Sequence, residues 1–203
     1  MNMKRILLIP VLCAVVLASC AGAATFVFPK PQGYVSDYAD LLDSQTRLKI
    51  EQMARTVEQQ TGVEMAVVIV KSTIPYDHLE YATRLFANWH IGKLGQDNGV
   101  LLLLALNERK IKIETGYGIE EILPDGKAGE ILDTYVMPKL RDGNYSEAMY
   151  NGALAIAQVI AAKYNVAIDG AYFPVEKEAD GSASVLQALF VLFLVLFMLN
   201  SRF

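Results

Sequence analysis

The sequence predicts a mixed α/β fold: a small mixed β-sheet sandwiched between helices (α/β/α), followed by a C-terminal transmembrane helix. Three observations carry this. In the strand from Val63 to Val70, Ala66 to Val70 is apolar on both faces, and so is Val100 to Leu106, as strands covered on both sides are. Segments of helical periodicity precede, separate and follow them, which places helices over a sheet. A run of 19 residues without charge, Ala183 to Ser201, lies near the C-terminus. At 1.5 Å per residue it measures about 28 Å, close to a hydrocarbon core of roughly 30 Å.

The elements follow in order. Lys4-Arg5 and the uncharged stretch from Ile6 onward have the charged start and short apolar run of a secretory signal over residues 1–23. Leu17-Ala18-Ser19-Cys20 has the pattern of a lipobox, in which Cys20 is lipidated. Cleavage after Ala21-Gly22-Ala23 is the alternative, and both readings stay open. The soluble domain covers residues 30–165 and enters through Pro29-Lys30-Pro31. Asp37, Asp40 and Asp43 follow, three apart. Asp43 or Ser44 caps a helix whose apolar face is Ile50, Met53, Ala54 and Val57, and Gly62 ends it. The first strand comes next.

Asp77-x-x-Glu80 resembles a capping box and opens a helix with Leu79, Ala82, Leu85, Phe86 and Trp89 on one face. Gly95 to Gly99 reads as a loop, and the second strand follows it. Asn107-Glu108-Arg109 closes a hairpin into Lys110 to Thr115, where charge alternates with Ile111 and Ile113, as on an edge strand. After Gly116-Tyr117-Gly118, a short helix opens at Pro124-Asp125-Gly126 and is expected to stop at Pro138. Arg141 to Asn144 is a turn, and the last helix runs from about Ser146 to Tyr164. The expected order is α-β-α-β-β-α-α. Residues 166–182 read as a tether and 183–201 as the membrane helix, with Arg202 at a cytoplasmic end.

Composition removes whole classes of function. Residues 30–165 hold 14 Lys and Arg against 18 Asp and Glu, a net of −4, with no basic run, which argues against nucleic-acid binding. Cys13 and Cys20 both lie in the leader, so the domain has no disulfide, thiolate zinc site or cysteine nucleophile. His78 and His90 are the only histidines, too few for a three-histidine metal site. No P-loop and no Gly-x-Ser-x-Gly elbow is present.

Topology points to one candidate site. With the two apolar strands parallel and the hairpin reversing direction, Asp97-Asn98-Gly99 and Gly116-Tyr117-Gly118 fall on the same edge of the sheet. Glu120, Glu121 and Asp125 follow close behind. Oxygen side chains on Gly-containing loops suit Ca²⁺, which takes 6–8 oxygens at about 2.3–2.6 Å. Asp97, Asn98, Glu120 and Asp125 are the candidate ligands. Asp37 either joins them or caps local backbone. The bland alternative is that these residues serve turns and caps. Arg141 is read either as a clamp for an anion or as a partner of Asp142. Arg109-Lys110 reads as a solvated turn.

Several motifs at consistent spacing resemble one family. They are Val35-Ser36-Asp37-x-Ala39-x-Leu41-Leu42, Asn98-Gly99-Val100-Leu101-Leu102-Leu103, Glu114-x-Gly116-Tyr117-Gly118-x-Glu120-x-x-Leu123-Pro124-Asp125, and Arg141-Asp142-Gly143-Asn144-Tyr145. Together they resemble the TPM domain, the family of a plant thylakoid lumen protein and of many exported bacterial proteins with a C-terminal membrane helix. The resemblance implies an α/β/α sandwich and an acidic cleft that holds Ca²⁺ in some members. It also implies acid phosphatase activity in the plant branch and accessory roles in membrane complexes elsewhere. It places the rim at Asp37, Asp97, Asn98, Glu120 and Asp125.

Two functions are therefore expected. One is an exported, membrane-anchored accessory or binding module of the cell envelope, its domain on the extracytoplasmic side, with a Ca²⁺-type acidic rim and an envelope protein as partner. The alternative is a metal-dependent acid phosphatase (a phosphomonoesterase) using the same rim, with metal-activated water and a carboxylate base. The absence of a nucleophile or histidine base favours the module.

Overall fold

In the computed structural model, which describes residues 26–168, the chain divides into two units, 1–30 and 31–203. The described part of the first unit holds no helix or strand, and the rings of Phe26 and Phe28 meet edge to face at 5.0 Å. The leader with Cys20, most of the tether and the apolar run 183–201 lie outside the described residues. Among the described residues, no helix is long and apolar enough to cross a membrane.

The second unit is built on a four-stranded sheet in the order β1-β2-β3-β4. Strand β1 is Val35–Asp37, β2 Glu64–Val70, β3 Gly99–Ala105 and β4 Lys110–Thr115. The first three are parallel and β4 returns antiparallel from the hairpin. The expected order thus gains a strand. β1 is only three residues long and too short for any periodicity to show. Lys110 to Thr115 is an edge strand, as its alternation requires.

The helices are α1 (Ser44–Thr61), α2 (His78–Trp89), α3 (Asp125–Ile131), α4 (Met137–Arg141) and α5 (Tyr145–Tyr164). Asp43 caps α1 by accepting from the Thr46 N–H at 2.8 Å, and Gly62 closes it in the left-handed region at φ 78°. Asp77 caps α2 through the N–H groups of Leu79 and Glu80. Pro138 does not end the helix that begins at Asp125. Leu132–Val136 widens into a π-helical turn, and the chain continues as α4. A proline lacks the N–H that would bond back four residues, and its ring collides there; one wider turn absorbs both defects.

One face of the sheet (Val67, Ile69, Val100, Leu102, Leu104 and Ile113) shares a buried cluster with Ile50, Met53 and Val57 of α1 and Met149, Ala153 and Ile156 of α5. The alternate residues Val68, Leu101 and Leu103 are buried too, as are Tyr81, Ala82 and Leu85 of α2. The Thr83 hydroxyl donates to Glu114 of β4 at 2.8 Å and ties α2 to that second face. Burying both faces explains why β2 and β3 carry no polar alternation.

Candidate functional site

The rim forms where the loop before β3 meets the loop after β4. Asn98 builds the first loop: its Oδ1 accepts from the Lys93 N–H at 2.8 Å, and its Nδ2 donates to Gly62 O and Gln96 Oε1. Glu64 accepts from the Gly92 N–H at 2.8 Å. Asp97 adopts φ 48°, a left-handed turn that Asp tolerates better than most side chains. The second loop then locks on through the backbone. Gly116 N–H donates to Gly99 O and Gly118 N–H to Asp97 O, both at 3.0 Å. A Cβ on Gly116 would lie 2.1 Å from Asp97 O, and one on Gly118 2.1 Å from Gln96 O. Only glycine permits this approach.

The convergence expected from topology is therefore present, but the ligand set within it is not. Asp97 and Glu120 are exposed on the interlocked loops, and among the described residues neither side chain has a hydrogen bond or ion pair. Asn98 is buried, and its oxygen is taken by Lys93 N–H. Asp125 points along β4, 3.7 Å from Lys112, with its side chain 92% exposed. Glu121 is 3.7 Å from Lys163 at the end of α5.

Asp37 is a correction: it does not reach the rim. It ends β1 in register with Ile69, which is in register with Leu104, five residues along β3 from the rim glycine Gly99. That is about 17 Å along the sheet. Asp37 is buried and accepts from the N–H groups of Ala39, Leu41 and Leu42 at 2.8–3.0 Å. Its carboxylate orders the turn into α1 instead.

No group of three or more His, Cys, Asp or Glu that could hold a metal ion occurs among the described residues. Asp97 and Glu120 alone cannot supply the 6–8 oxygens of a calcium cage. The nearby carbonyl oxygens of Asp97 and Gly116 already accept N–H groups. The residues thus fit at most a weak, water-rich cation site.

The rim does present two large apolar side chains. Leu94 is fully exposed and Tyr117 is 82% exposed, one on each loop. The sequence signal for them is a bulky residue inside a glycine loop, which reads equally well as core cover.

Carboxylates held below their usual range lie elsewhere and have structural causes. The Thr46 N–H on Asp43 lowers it to about 2, and the Glu80 N–H lowers Asp77. The Ser72 hydroxyl lowers Glu108. Tyr34, donating to Glu58, is pushed up to about 12 by that hydrogen bond.

The model of the TPM domain matches residues 35–159. Among solved structures, the chain is similar to the N-terminal domain of a protein from P. gingivalis, with 32% identity, a TM-score of 0.62, and 68% of this chain and 87% of that one covered. The BA42 protein of the psychrophilic bacterium Bizionia argentinensis shares the fold at 22% identity and a TM-score of 0.51, covering 63% of this chain and 86% of that one. The N-terminal domain of cg2496 from Corynebacterium glutamicum does so at 18% identity and 0.51, covering 73% and 93%. No curated protein matches the sequence.

Proposed function

The chain belongs to the TPM-domain family, and from that premise we propose that it is an exported, membrane-anchored binding module whose rim docks an envelope protein. One observation carries this: Leu94 and Tyr117 stand exposed on two loops that are locked together by backbone hydrogen bonds. Rigid loops cost little ordering entropy on binding, and tyrosine is among the side chains that most often anchor an interface, with Leu94 adding apolar surface on the facing loop. Asp97 and Glu120 stand exposed on the same two loops, with Lys93 beside Leu94 and Lys163 against Glu121, which favours a partner with a basic group next to an apolar centre. Calcium enters this reading as a weak ligand of Asp97 and Glu120, with water or partner oxygens completing its shell. The leader and the run 183–201 support export and anchoring.

The test is a photo-crosslinking residue at Tyr117, used in intact cells. A defined adduct with one envelope protein, reduced in Leu94→Ser, supports the module. Loss of that dependence, or an adduct only from sites on α2, defeats it. Hydrolysis of a phosphate ester that requires calcium and disappears in Asp97→Ala would establish the phosphomonoesterase instead.

A further inference from the structure

At the end of the sheet away from the rim, a cavity of about 520 Å³ opens between the β3–β4 hairpin and the segment from the π-helical turn to the start of α5. Its apolar wall includes Leu104, Met137 and Leu140, and Tyr145 lines it as well. Two cations share it: Arg109, from the hairpin turn at φ 53°, and Arg141, from the last position of α4. In sequence they stand 32 residues apart, Arg109 read as a solvated turn and Arg141 as either an anion clamp or a partner of Asp142. In the fold, neither arginine has an ion pair or side-chain hydrogen bond among the described residues, Arg141 with Asp142 included.

We propose that this cavity binds a small organic anion: an oxyanion head, phosphate ester or carboxylate, on a compact apolar body. The volume lies within the roughly 300–1,000 Å³ typical of small-molecule sites, which are mostly apolar with a few placed polar groups. Two guanidinium forks match the paired oxygens of a phosphate or carboxylate, and a lone ammonium would not. Tyr145, which lines the cavity, opens a 20-residue helix, and the positive end of a helix favours an anion beside it. The apolar wall accounts for the body of the ligand, because an inorganic ion alone would leave that surface wet. The domain carries a net negative charge, so an unpaired cation pair lining a concave surface runs against the general field. The cavity sits beyond the C-terminal ends of the parallel strands, where open α/β sheets place their ligands.

The experiment is a calorimetric titration of the full chain, held in nonionic detergent at about 0.15 M salt, where the Debye length is about 8 Å, with a calcium chelator present. The probes are phenyl phosphate, inorganic phosphate and phenol. Saturable binding of phenyl phosphate is expected, tighter than either of the other two. A charge-assisted hydrogen bond contributes about 1.5–3 kcal/mol, so Arg109→Gln and Arg141→Gln should each weaken binding about ten- to hundredfold. Lys110→Gln removes an equal charge outside the cavity and should change it less than about twofold. Leu140→Ala should weaken phenyl phosphate and leave inorganic phosphate unchanged.

Wild-type affinity in both arginine variants overturns the proposal. Equal affinity for phenyl and inorganic phosphate also overturns it, and so does binding that depends on Asp97. Both arginines are exposed, so the variants are expected to fold. If one melts early, the other still decides. The chelator separates this outcome from the rim, because loss of calcium binding there leaves the titration intact.

Discussion

Asp37, itself buried, accepts three N–H groups of a half-buried turn, so Asp37→Ala orphans all three at once. Each orphaned buried donor costs about 1–3 kcal/mol, and roughly 2–4 kcal/mol is expected in total, because the turn relaxes and water reaches part of it. Urea unfolding measures this. Asp43 gives a pH signature. Its folded pKa is lowered to about 2 by the Thr46 N–H, below the ordinary value of 3.8. A lowered acid stabilises the fold above its unfolded pKa and loses that contribution as pH falls through the folded one. Asp43→Asn should therefore change stability most at neutral pH, and the difference should close between pH 3.8 and about 2. Melting curves across that window decide it. At this scale the sequence was half legible. The caps at Asp43 and Asp77 follow from residue type before an apolar period. Asp37 and Asn98 did not, because an oxygen that binds a metal and one that binds N–H groups look alike in sequence. The end of the sheet on which Asp37 falls depends on a three-residue strand that no periodicity reveals.

Between elements, the tightest constraint is the pair of rim loops. Gly116→Ala drives a methyl group into Asp97 O, and an overpacked contact costs about 1–3 kcal/mol. Gly126 in α3 has nothing within 4 Å of an added Cβ, and alanine there should stabilise by up to about 1 kcal/mol. Thermal unfolding of the two variants should give shifts of opposite sign, and equal shifts would contradict the interlock. The long elements were readable because their burial is regular: β2 and β3 are covered on both faces, and α1 shows one apolar stripe. The continuation through Pro138 was not, because a proline inside a helical pattern reads as a stop unless a wider turn takes it up. That one turn decides where Met137, Leu140 and Arg141 fall, and the cavity was hidden from sequence for the same reason.

For the whole molecule, one buried cluster joins α1, α3, α5 and the inner sheet face, so the domain should unfold in a single transition with matching calorimetric and van't Hoff enthalpies. Calcium should stabilise it only weakly. A ligand at a concentration equal to its Kd adds about 0.4 kcal/mol, and extracellular modules bind at about 10⁻⁴–10⁻³ M. Asp97→Asn should abolish that increment, while Asp37→Asn, destabilised as it is, should retain it. Helix α5 has a consequence for how the domain is presented. Its 20 residues make a strut about 30 Å long. It starts beside the two guanidinium groups and finishes with Lys163 against Glu121. Beyond it the chain turns back, and Ala167 and Ile168 lie in one hollow with Lys49, Gln52 and Met53 of α1 and Tyr150 of α5. The outgoing stretch of chain therefore runs back over α1 and leaves the pole that carries Leu94 and Tyr117 uncovered, free to meet whatever docks there.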